Sequence, residues 1–470
     1  MEFILKAGVC PPQGKEVLTP VERRVFEEHR KGGYGEVWHI AYPAVLTMIS
    51  QTVMSFTDAV MVGRLGAVEL AGVGLAGTLV WGLYSFFNGL VNGVNTFVAQ
   101  DYGAKRYRDI GPMTWQGVYF ALLSGIILLV LSSHSSDFFR LLGPDENVQS
   151  VGSAYLKIRM RGGLFIILWM CFSAFMRGLG DTRTPLKITV VANVINIFGD
   201  YVLIFGKFGF PKLGTEGAAI ATIFANGVGA VIFFMIFLSR RNAAEYGTRS
   251  GWRPRLQSMR RLSVVGGPIG LQWLLDMGSF IFFSALIGRI GTVELAASEA
   301  TIRLLSLSFM PVYGVSIAAT TLVGQYIGSE ELHFAVKSGN SALRLGFLYT
   351  IFIALVFIAI PDRLVSVINS NPDVIRIGAK IIRLVAVFQV FDGLGIVSNG
   401  CLRGAGDTRW AMYIGVGYAW LLFVPLAYIA GFVLKGGALG AWAGATIYII
   451  ALGLTFFFRF RSGRWRAIKI

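Results

Sequence analysis

The chain has 470 residues, of which 54% are hydrophobic and only 14% are charged, and its mean hydropathy is +0.63. Soluble domains contain about a quarter charged residues, so this composition excludes a water-soluble globular protein. The net charge of +16 alone would suit a nucleic-acid-binding protein. The positive charge is concentrated in loops between long apolar runs, however, and this pattern is typical of a membrane protein with no nucleic-acid partner.

Apolar runs of roughly 20 residues, the length that crosses a bilayer as a helix, recur along the chain. A polar tail at 1–35 comes first, and its lack of an apolar stretch predicts no cleaved signal peptide. The N-terminal lobe, 36–239, contains predicted spans near 37–60, 70–99, 113–133, 154–177, 186–206 and 217–239. A basic linker at 240–261 and a basic tail at 460–470 flank the C-terminal lobe, 262–459, with predicted spans near 262–287, 295–325, 340–360, 378–402, 411–434 and 438–459.

A seven-residue block occurs once in each half of the chain. Residues 177–183 read R-G-L-G-D-T-R, and residues 403–409, which lie 226 positions further on, read R-G-A-G-D-T-R. Several independent pairs at nearly the same spacing indicate an internal duplication. The other pairs are 63–71 with 288–296, Gln100 with Gln325, Gly103 with Gly328, and Pro43 with Pro268.

The duplication predicts how the two halves are arranged. Six spans per copy is an even number, so both copies enter the membrane from the same face and are related by an axis along the membrane normal. The seven-residue blocks then lie in loops after the fourth span of each lobe. We interpret them as structural: glycine permits a tight turn, Asp and Thr cap the next helix, and the arginines anchor to lipid headgroups.

The distribution of basic residues predicts the orientation. Of the 42 Lys and Arg residues, 28 fall on the side that holds both termini and the linker, and 14 fall on the other. Cytoplasmic loops are the ones enriched in Lys and Arg. Both termini are therefore expected in the cytoplasm, in a multi-pass membrane protein.

Four acidic residues, Asp58, Asp200, Asp276 and Asp392, lie well inside predicted spans. A charge there costs roughly 2.5–3.5 kcal/mol on insertion scales, so such residues are functional candidates. An acid without a cationic neighbour binds a proton, or a sodium ion together with amide oxygens. The alternative is that these acids join helices or pair with buried arginines. Polar residues share their helix faces or form a further stripe: Gln51, Asn88, Asn92, Asn193, Asn196, Gln272, Gln389 and Asn399.

The acids do not follow the duplication. At the repeat spacing Asp58 corresponds to Phe283, and Asp276 corresponds to Gln51. Acids that merely join helices would more readily be kept in both copies, so we favour a functional role. Pro43 and Pro268 do correspond, inside the first span of each lobe, and each is a candidate hinge because proline removes a helix hydrogen bond.

Enzyme chemistry is not indicated. Four histidines and three cysteines are scattered without ligand or nucleophile spacing, and no phosphate-binding P-loop sequence occurs. We expect no cofactor and no catalytic residue. Energy for any transport must then come from an ion gradient.

The paired R-G-x-G-D-T-R blocks, the paired G-R-x-G-x-V-E-L-A blocks and twelve spans in two halves resemble the multidrug and toxic compound extrusion (MATE) family, in its NorM-like branch. The resemblance implies two six-helix bundles around a V-shaped cleft. It also implies an antiporter of the plasma (inner) membrane, monomeric, that exports cationic drugs or dyes in exchange for Na⁺ or H⁺. A lipid-linked saccharide flippase of the same superfamily is the alternative, and it would need a basic cavity.

The resemblance also assigns residues. It implies an N-lobe ion site at Asp58, Asn196 and Asp200 and a C-lobe site at Asp276 and Asp392, where Asp276 replaces the usual Glu. Either set is a candidate Na⁺ site. Candidate substrate-cavity residues are Gln51, Asn88, Asn92, Asn193, Gln272, Gln389 and Phe388.

Overall fold

The structure is a computed structural model that describes residues 31–468 and Ile470; most of the predicted tail at 1–35 lies outside the described residues. Twelve helical spans, numbered here in chain order, make up most of the described chain. Spans 1–6 are Tyr34–Gly63, Ala67–Gly103, Tyr107–Leu131, Glu146–Arg161 with Gly163–Gly178, Arg183–Phe205 and Gly214–Phe237. Spans 7–12 are Leu256–Ile290, Thr292–Gly328, Leu332–Ala359, Pro372–Gly404, Thr408–Val433 and Gly437–Arg461.

The spans alternate in direction between two faces of the molecule. We call the face with the start of span 1 and the end of span 12 the terminal face, and the opposite one the distal face. Span 7 starts at the terminal face like span 1, so the two lobes have the same orientation. The predicted all-α fold of two pseudo-symmetric six-span lobes is confirmed.

Several helices are longer than predicted, most clearly at the terminal face. Span 9 begins at Leu332 instead of 340, and span 7 begins at Leu256, inside the predicted linker. Hydropathy along the sequence identifies only the part of a helix that lies in the hydrocarbon. These helices continue into the polar interface, so their ends were not predicted. The rest of the linker contains a short helix, Arg240–Tyr246, and a loop that Trp115 of span 3 binds by donating to the Thr248 carbonyl at 2.7 Å.

Two spans depart from regular α-helix. Span 4 bends by 50° between Arg161 and Gly163. At Gly162 an added Cβ would lie 2.4 Å from Ile223 of span 6, so glycine permits the close packing at the bend. Span 11 contains π-helical turns at Ala419–Phe423 and Ile429–Val433, on either side of Val424–Tyr428. Irregular turns of this kind accommodate a proline within a helix.

The candidate hinges lie in continuous helices. Pro43 is inside the unbroken helix of span 1, and Pro268 is inside that of span 7. Whether these positions bend during function remains a prediction.

The lobes touch each other in the half of the molecule near the terminal face. Gly89 of span 2 lies against the backbone of Gly270 in span 7, and Gly93 lies against Gly266. The start of span 1 also packs into a hydrophobic cluster otherwise built from the C-terminal lobe. Small residues allow such close helix contact, and here they close the terminal face.

The distal half of span 1 faces two different environments. Gln51 and Ser55 are exposed on one side of the helix, and Val53 and Phe56 are exposed on the opposite side. A single helix buried in its lobe would expose one side only. The apolar side suits lipid and the polar side suits water, which indicates a cleft that opens toward the distal face.

Substitution of Gly270 is predicted to open the terminal face. An alanine Cβ there would lie 2.2 Å from the Phe86 carbonyl oxygen, and overpacking of this kind costs about 1–3 kcal/mol. Gly270→Ala should therefore lengthen the distance between spin labels introduced as Arg108→Cys and Arg409→Cys, measured by pulsed electron resonance.

Gly267→Ala is the matched control, because nothing lies within 4 Å of its added Cβ. Alanine is the better helix former by about 1 kcal/mol, so this variant should keep the wild-type distance. Equal distances in the two variants would show that the contact at Gly270 does not hold the lobes together.

Candidate functional site

Two acids of the N-terminal lobe meet in the structure. Asp58 comes from span 1 and Asp200 from span 5, and their carboxyl groups lie within hydrogen-bonding range of each other. Asn196 lies one turn before Asp200 on the same helix face, and both residues are fully buried. The predicted trio Asp58, Asn196 and Asp200 is thus brought together from residues 142 positions apart in sequence.

Several oxygen atoms of this trio receive no hydrogen bond from a donor group in the described part of the chain. One carboxylate oxygen of Asp58, both of Asp200 and the amide oxygen of Asn196 are buried and unsatisfied. Buried polar atoms in proteins are nearly always paired, and hard cations are bound by carboxylate and amide oxygens of this kind. The arrangement is suited to a proton or a small hard cation.

A cation near this site does not pair with it. Arg159 of span 4 is close enough to act electrostatically on both carboxyl groups. It forms no ion pair within 4.0 Å in the described chain, and donates instead to the Tyr155 hydroxyl at 3.0 Å. The structure therefore does not support the alternative that a buried arginine pairs with the N-lobe acids.

The C-lobe acids are arranged more loosely. Asp276 of span 7 interacts with Gln272 one turn earlier, and one of its carboxylate oxygens is buried and unsatisfied. Tyr448 of span 12 is close enough to interact with both Asp276 and Asp392. The amide oxygen of Gln389 is likewise unsatisfied.

The predicted cavity residues divide into three groups. Gln51 is exposed on the polar side of span 1, and Asn92, hydrogen-bonded to the adjacent Asn88, lines a pocket between the lobes. Asn193 instead joins spans 5 and 1 by donating to the Ser50 carbonyl at 2.8 Å. The remaining three are buried, Gln272 at 4% exposed and Gln389 and Phe388 at 1% each.

This burial corrects the assignment of Phe388 to the cavity wall. The side chain packs in the hydrophobic core of the C-terminal lobe. The sequence alone does not separate the core face of span 10 from its cleft face, because aromatic residues occur on both.

The first arginine of each R-G-x-G-D-T-R block points between the lobes. Arg177 donates to the Asn92 side-chain oxygen at 2.7 Å, and Arg403 donates to that of Gln272 at 3.4 Å. Both line one small cavity of about 30 Å³. The expectation that these arginines anchor to lipid headgroups is wrong, because each lies on the last turn of a span that faces the other lobe.

The two blocks also supply backbone acceptors to the opposite lobe. Span 4 ends at Gly178 and span 10 ends at Gly404, and the last carbonyls of a helix have no partner within it. The Arg177 and Arg403 carbonyls also accept from the Gly180 and Gly406 amides. Side chains of the other lobe donate to all four terminal carbonyls, and we call these four bonds the interlobe clasp. Its bonds are Thr96 to the Arg403 carbonyl (3.0 Å), Gln100 to Gly404 (3.0 Å), Thr321 to Arg177 (3.0 Å) and Gln325 to Gly178 (2.9 Å).

Glycines allow the helices of the clasp to approach. A Cβ added to Gly103 would lie 1.8 Å from the Gln325 carbonyl oxygen, and one added to Gly328 would lie 1.9 Å from that of Gln100. The clasp was missed in the sequence, although its signal is present. Gln100 and Gly103 recur as Gln325 and Gly328, so the duplication itself marks residues of the clasp.

The remaining residues of the blocks behave partly as expected. The tight turn is confirmed by φ angles of +85° at Gly180 and +83° at Gly406, values that favour glycine. Asp181 accepts hydrogen bonds from the first amides of span 5. The capping prediction is wrong for Thr182, which donates to the Ile40 carbonyl at 2.9 Å. It is also wrong for Asp407, which forms an ion pair with Arg459 at 2.8 Å.

Two duplicated six-span lobes, closed against each other at one face and holding unpaired acids, define a membrane transporter rather than an enzyme. The MatE family model matches residues 43–202 and 268–429, one segment in each lobe. The chain therefore belongs to the MATE family of multidrug efflux transporters.

Individual relatives agree with this assignment. A probable multidrug resistance protein NorM of Thermotoga maritima is 30% identical over 432 residues, which cover 92% of each chain. One of Synechocystis is also 30% identical, over 91% of this chain and 94% of that protein. A solved multidrug resistance MATE family transporter in an outward-facing conformation matches the fold with a TM-score of 0.86 at 20% identity, over 93% of this chain and 97% of the other.

Removal of either clasp glutamine is predicted to loosen both blocks equally. Gln100→Leu and Gln325→Leu each leave one helix-end carbonyl unsatisfied, at a cost of about 1–3 kcal/mol. Hydrogen–deuterium exchange in peptides covering 174–184 and 400–410 should accelerate at least about fivefold in both variants. The exposed Gln257 provides the control Gln257→Leu, which should leave both peptides unchanged. Acceleration in only one of the two clasp variants would contradict the reciprocal arrangement.

Proposed function

We propose that the protein is a secondary antiporter that exports cationic amphipathic compounds in exchange for Na⁺ or H⁺. The observation that supports this most directly is the pair formed by partly buried Asp58 and fully buried Asp200, whose buried oxygens accept no hydrogen bond from a donor group of the described chain. The coupling cation binds there, and Asn196 supplies an amide oxygen when that cation is Na⁺.

The pair has a physical reason to retain one cation. Two adjacent carboxylates in a low-dielectric environment repel each other strongly, so both are not ionised at once without a positive partner. Arg159 is too distant to form an ion pair with either. Proton or sodium binding therefore changes the charge of the cleft wall by one unit.

The direction of exchange follows from the face that is closed. By sequence, 28 of the 42 basic residues fall on the side that holds the termini and the linker, so in this proposal the terminal face lies in the cytoplasm and the cleft opens outward. A cation enters from outside, neutralises the site and weakens its attraction for a cationic cargo, which leaves. The lobes then rock, and the cation is released inside. A membrane potential contributes about 2.3 kcal/mol per 100 mV for each charge that crosses.

The cargo is inferred from the sign of charge in the spans. Acids of both lobes lie within the bilayer region, which favours a cation, and amphipathic character suits entry from a lipid environment. The relatives that bear the name multidrug resistance protein are consistent with small, varied substrates. The protein works as a monomer in the plasma (inner) membrane, without a nucleic-acid partner.

The alternative, export of a lipid-linked saccharide, has less support. Such a cargo carries phosphate and needs a basic cavity of its own size. The pocket that holds Arg177 and Arg403 measures about 30 Å³, and a site for even a drug-sized ligand is typically at least about 300 Å³.

Ethidium efflux from proteoliposomes tests the proposal. With Na⁺ and H⁺ gradients imposed separately, one gradient should accelerate wild-type efflux, and Asp58→Asn and Asp200→Asn should each reduce that acceleration at least about tenfold. Asparagine keeps the shape of aspartate but removes its charge. The gradient-dependent efflux of Asp392→Asn shows whether the C-lobe acid takes part in coupling.

Asp373→Asn is the control, since this acid is exposed at the distal start of span 10. It should retain gradient-dependent efflux. Unchanged coupling in both Asp58→Asn and Asp200→Asn would remove the N-lobe pair from the mechanism.

A further inference from the structure

The pocket between the lobes holds two positive charges and no negative one. Arg177 enters it from span 4 and Arg403 enters it from span 10. Within the described chain neither guanidinium has an acidic partner within 4.0 Å. Asp276 acts on Arg403 only from beyond that distance, so the pocket keeps an excess of positive charge.

The protein satisfies these guanidinium groups incompletely. Arg177 donates to Ser173 at 2.9 Å and to Asn92 at 2.7 Å, and Arg403 donates to Gln272 at 3.4 Å. The Nε–H of each arginine is buried without any acceptor. Arginine stays protonated in proteins, and an unsatisfied charged donor is costly. A bound group that accepts from these donors would remove that cost.

The size of the pocket limits what that group is. A cavity needs roughly 10–15 Å³ to hold one water molecule, and this one offers about 30 Å³. This space accommodates a single small ion such as a halide. Two facing cations favour an anion over neutral water, because water leaves their mutual repulsion in place.

Tyr313 is a third polar residue of the pocket. Tyr313 lines the pocket and interacts electrostatically with both arginines. Its ring is held by Trp273, with centroids 5.8 Å apart in an edge-to-face arrangement. Two guanidinium groups and a tyrosine around one small pocket are suited to a bound halide.

We propose that one chloride ion binds between Arg177 and Arg403 and stabilises the conformation in which the terminal face is closed. Each lobe contributes one arginine, so the site is complete only while the lobes are in contact. A ligand favours the conformation that it binds more tightly. This site is separate from the acids proposed to bind the coupling cation, and it does not depend on the identity of the cargo.

Thermal unfolding of the purified full-length protein tests the proposal. Sodium chloride, sodium bromide and sodium gluconate are compared at equal ionic strength. Chloride and bromide should raise the midpoint saturably by about 2–4 °C relative to gluconate. Arg177→Gln and Arg403→Gln should each abolish the difference, whereas Arg289→Gln, an exposed arginine at the distal end of span 7, should retain it.

A midpoint that is the same in all three salts would overturn the proposal and leave water as the occupant. Should a variant fail to fold, crystals of the wild type grown in bromide give a direct answer. An anomalous peak between the two guanidinium groups is expected, and an empty or uncharged density there would reject the halide. Neither result bears on whether a cation gradient powers export.

Discussion

Each lobe of this protein completes the hydrogen bonding of the other. Spans 4 and 10 end in the lobe interface, where their last carbonyls are shielded from solvent, and a buried unpaired carbonyl is unfavourable. Thr96 and Gln100 donate to one pair, while Thr321 and Gln325 donate to the equivalent pair. The carbonyls of Gly404 and Gly178 depend on the two glutamines. Because the arrangement is reciprocal, separating the lobes breaks both sets together. The closed terminal face is therefore held by two sets of bonds that form and break together.

That constraint connects the fold to transport. Closure at the terminal face leaves the distal half of the cleft open, where span 1 exposes a polar side next to Asp58. The same helix contributes its first turns to the hydrophobic cluster of the other lobe. A change of charge at Asp58 and Asp200 thus occurs on a helix that takes part in the lobe contact. In the proposed mechanism this is the physical link between cation binding and rocking of the lobes.

The sequence predicted the twelve spans, the duplication and the acids that meet in the N-terminal lobe, because each leaves a local signal. The length of the apolar runs identifies the spans, and an acidic residue inside such a run is easily recognised in the sequence. The errors have physical causes too. Helix ends such as Leu256 and Leu332 lie in the polar interface, beyond the reach of a hydropathy window. Phe388 was assigned to the cavity because a buried aromatic residue and a cleft-facing one have the same sequence signature.

The arginines of the repeated blocks illustrate the limit of local interpretation. An arginine at the end of a membrane span ordinarily reaches the headgroups, and only the packing of the two lobes places Arg177 and Arg403 in one pocket. The repeat explains why these two arginines lie together. In two lobes with the same orientation, equivalent residues that face the other lobe come close at the axis between them. Pairs that recur at the repeat spacing, such as Gln100 with Gln325, indicate which residues lie at this interface.

The most direct test of the central claim is to ask whether cargo displaces a cation from the Asp58–Asp200 pair. Purified protein in a weakly buffered solution is titrated with tetraphenylphosphonium while proton release and ²²Na⁺ release are followed. We expect release of about one cation per ligand bound in the wild type, and none in Asp200→Asn. Ligand binding without release of either cation, or equal release in the variant, would contradict it.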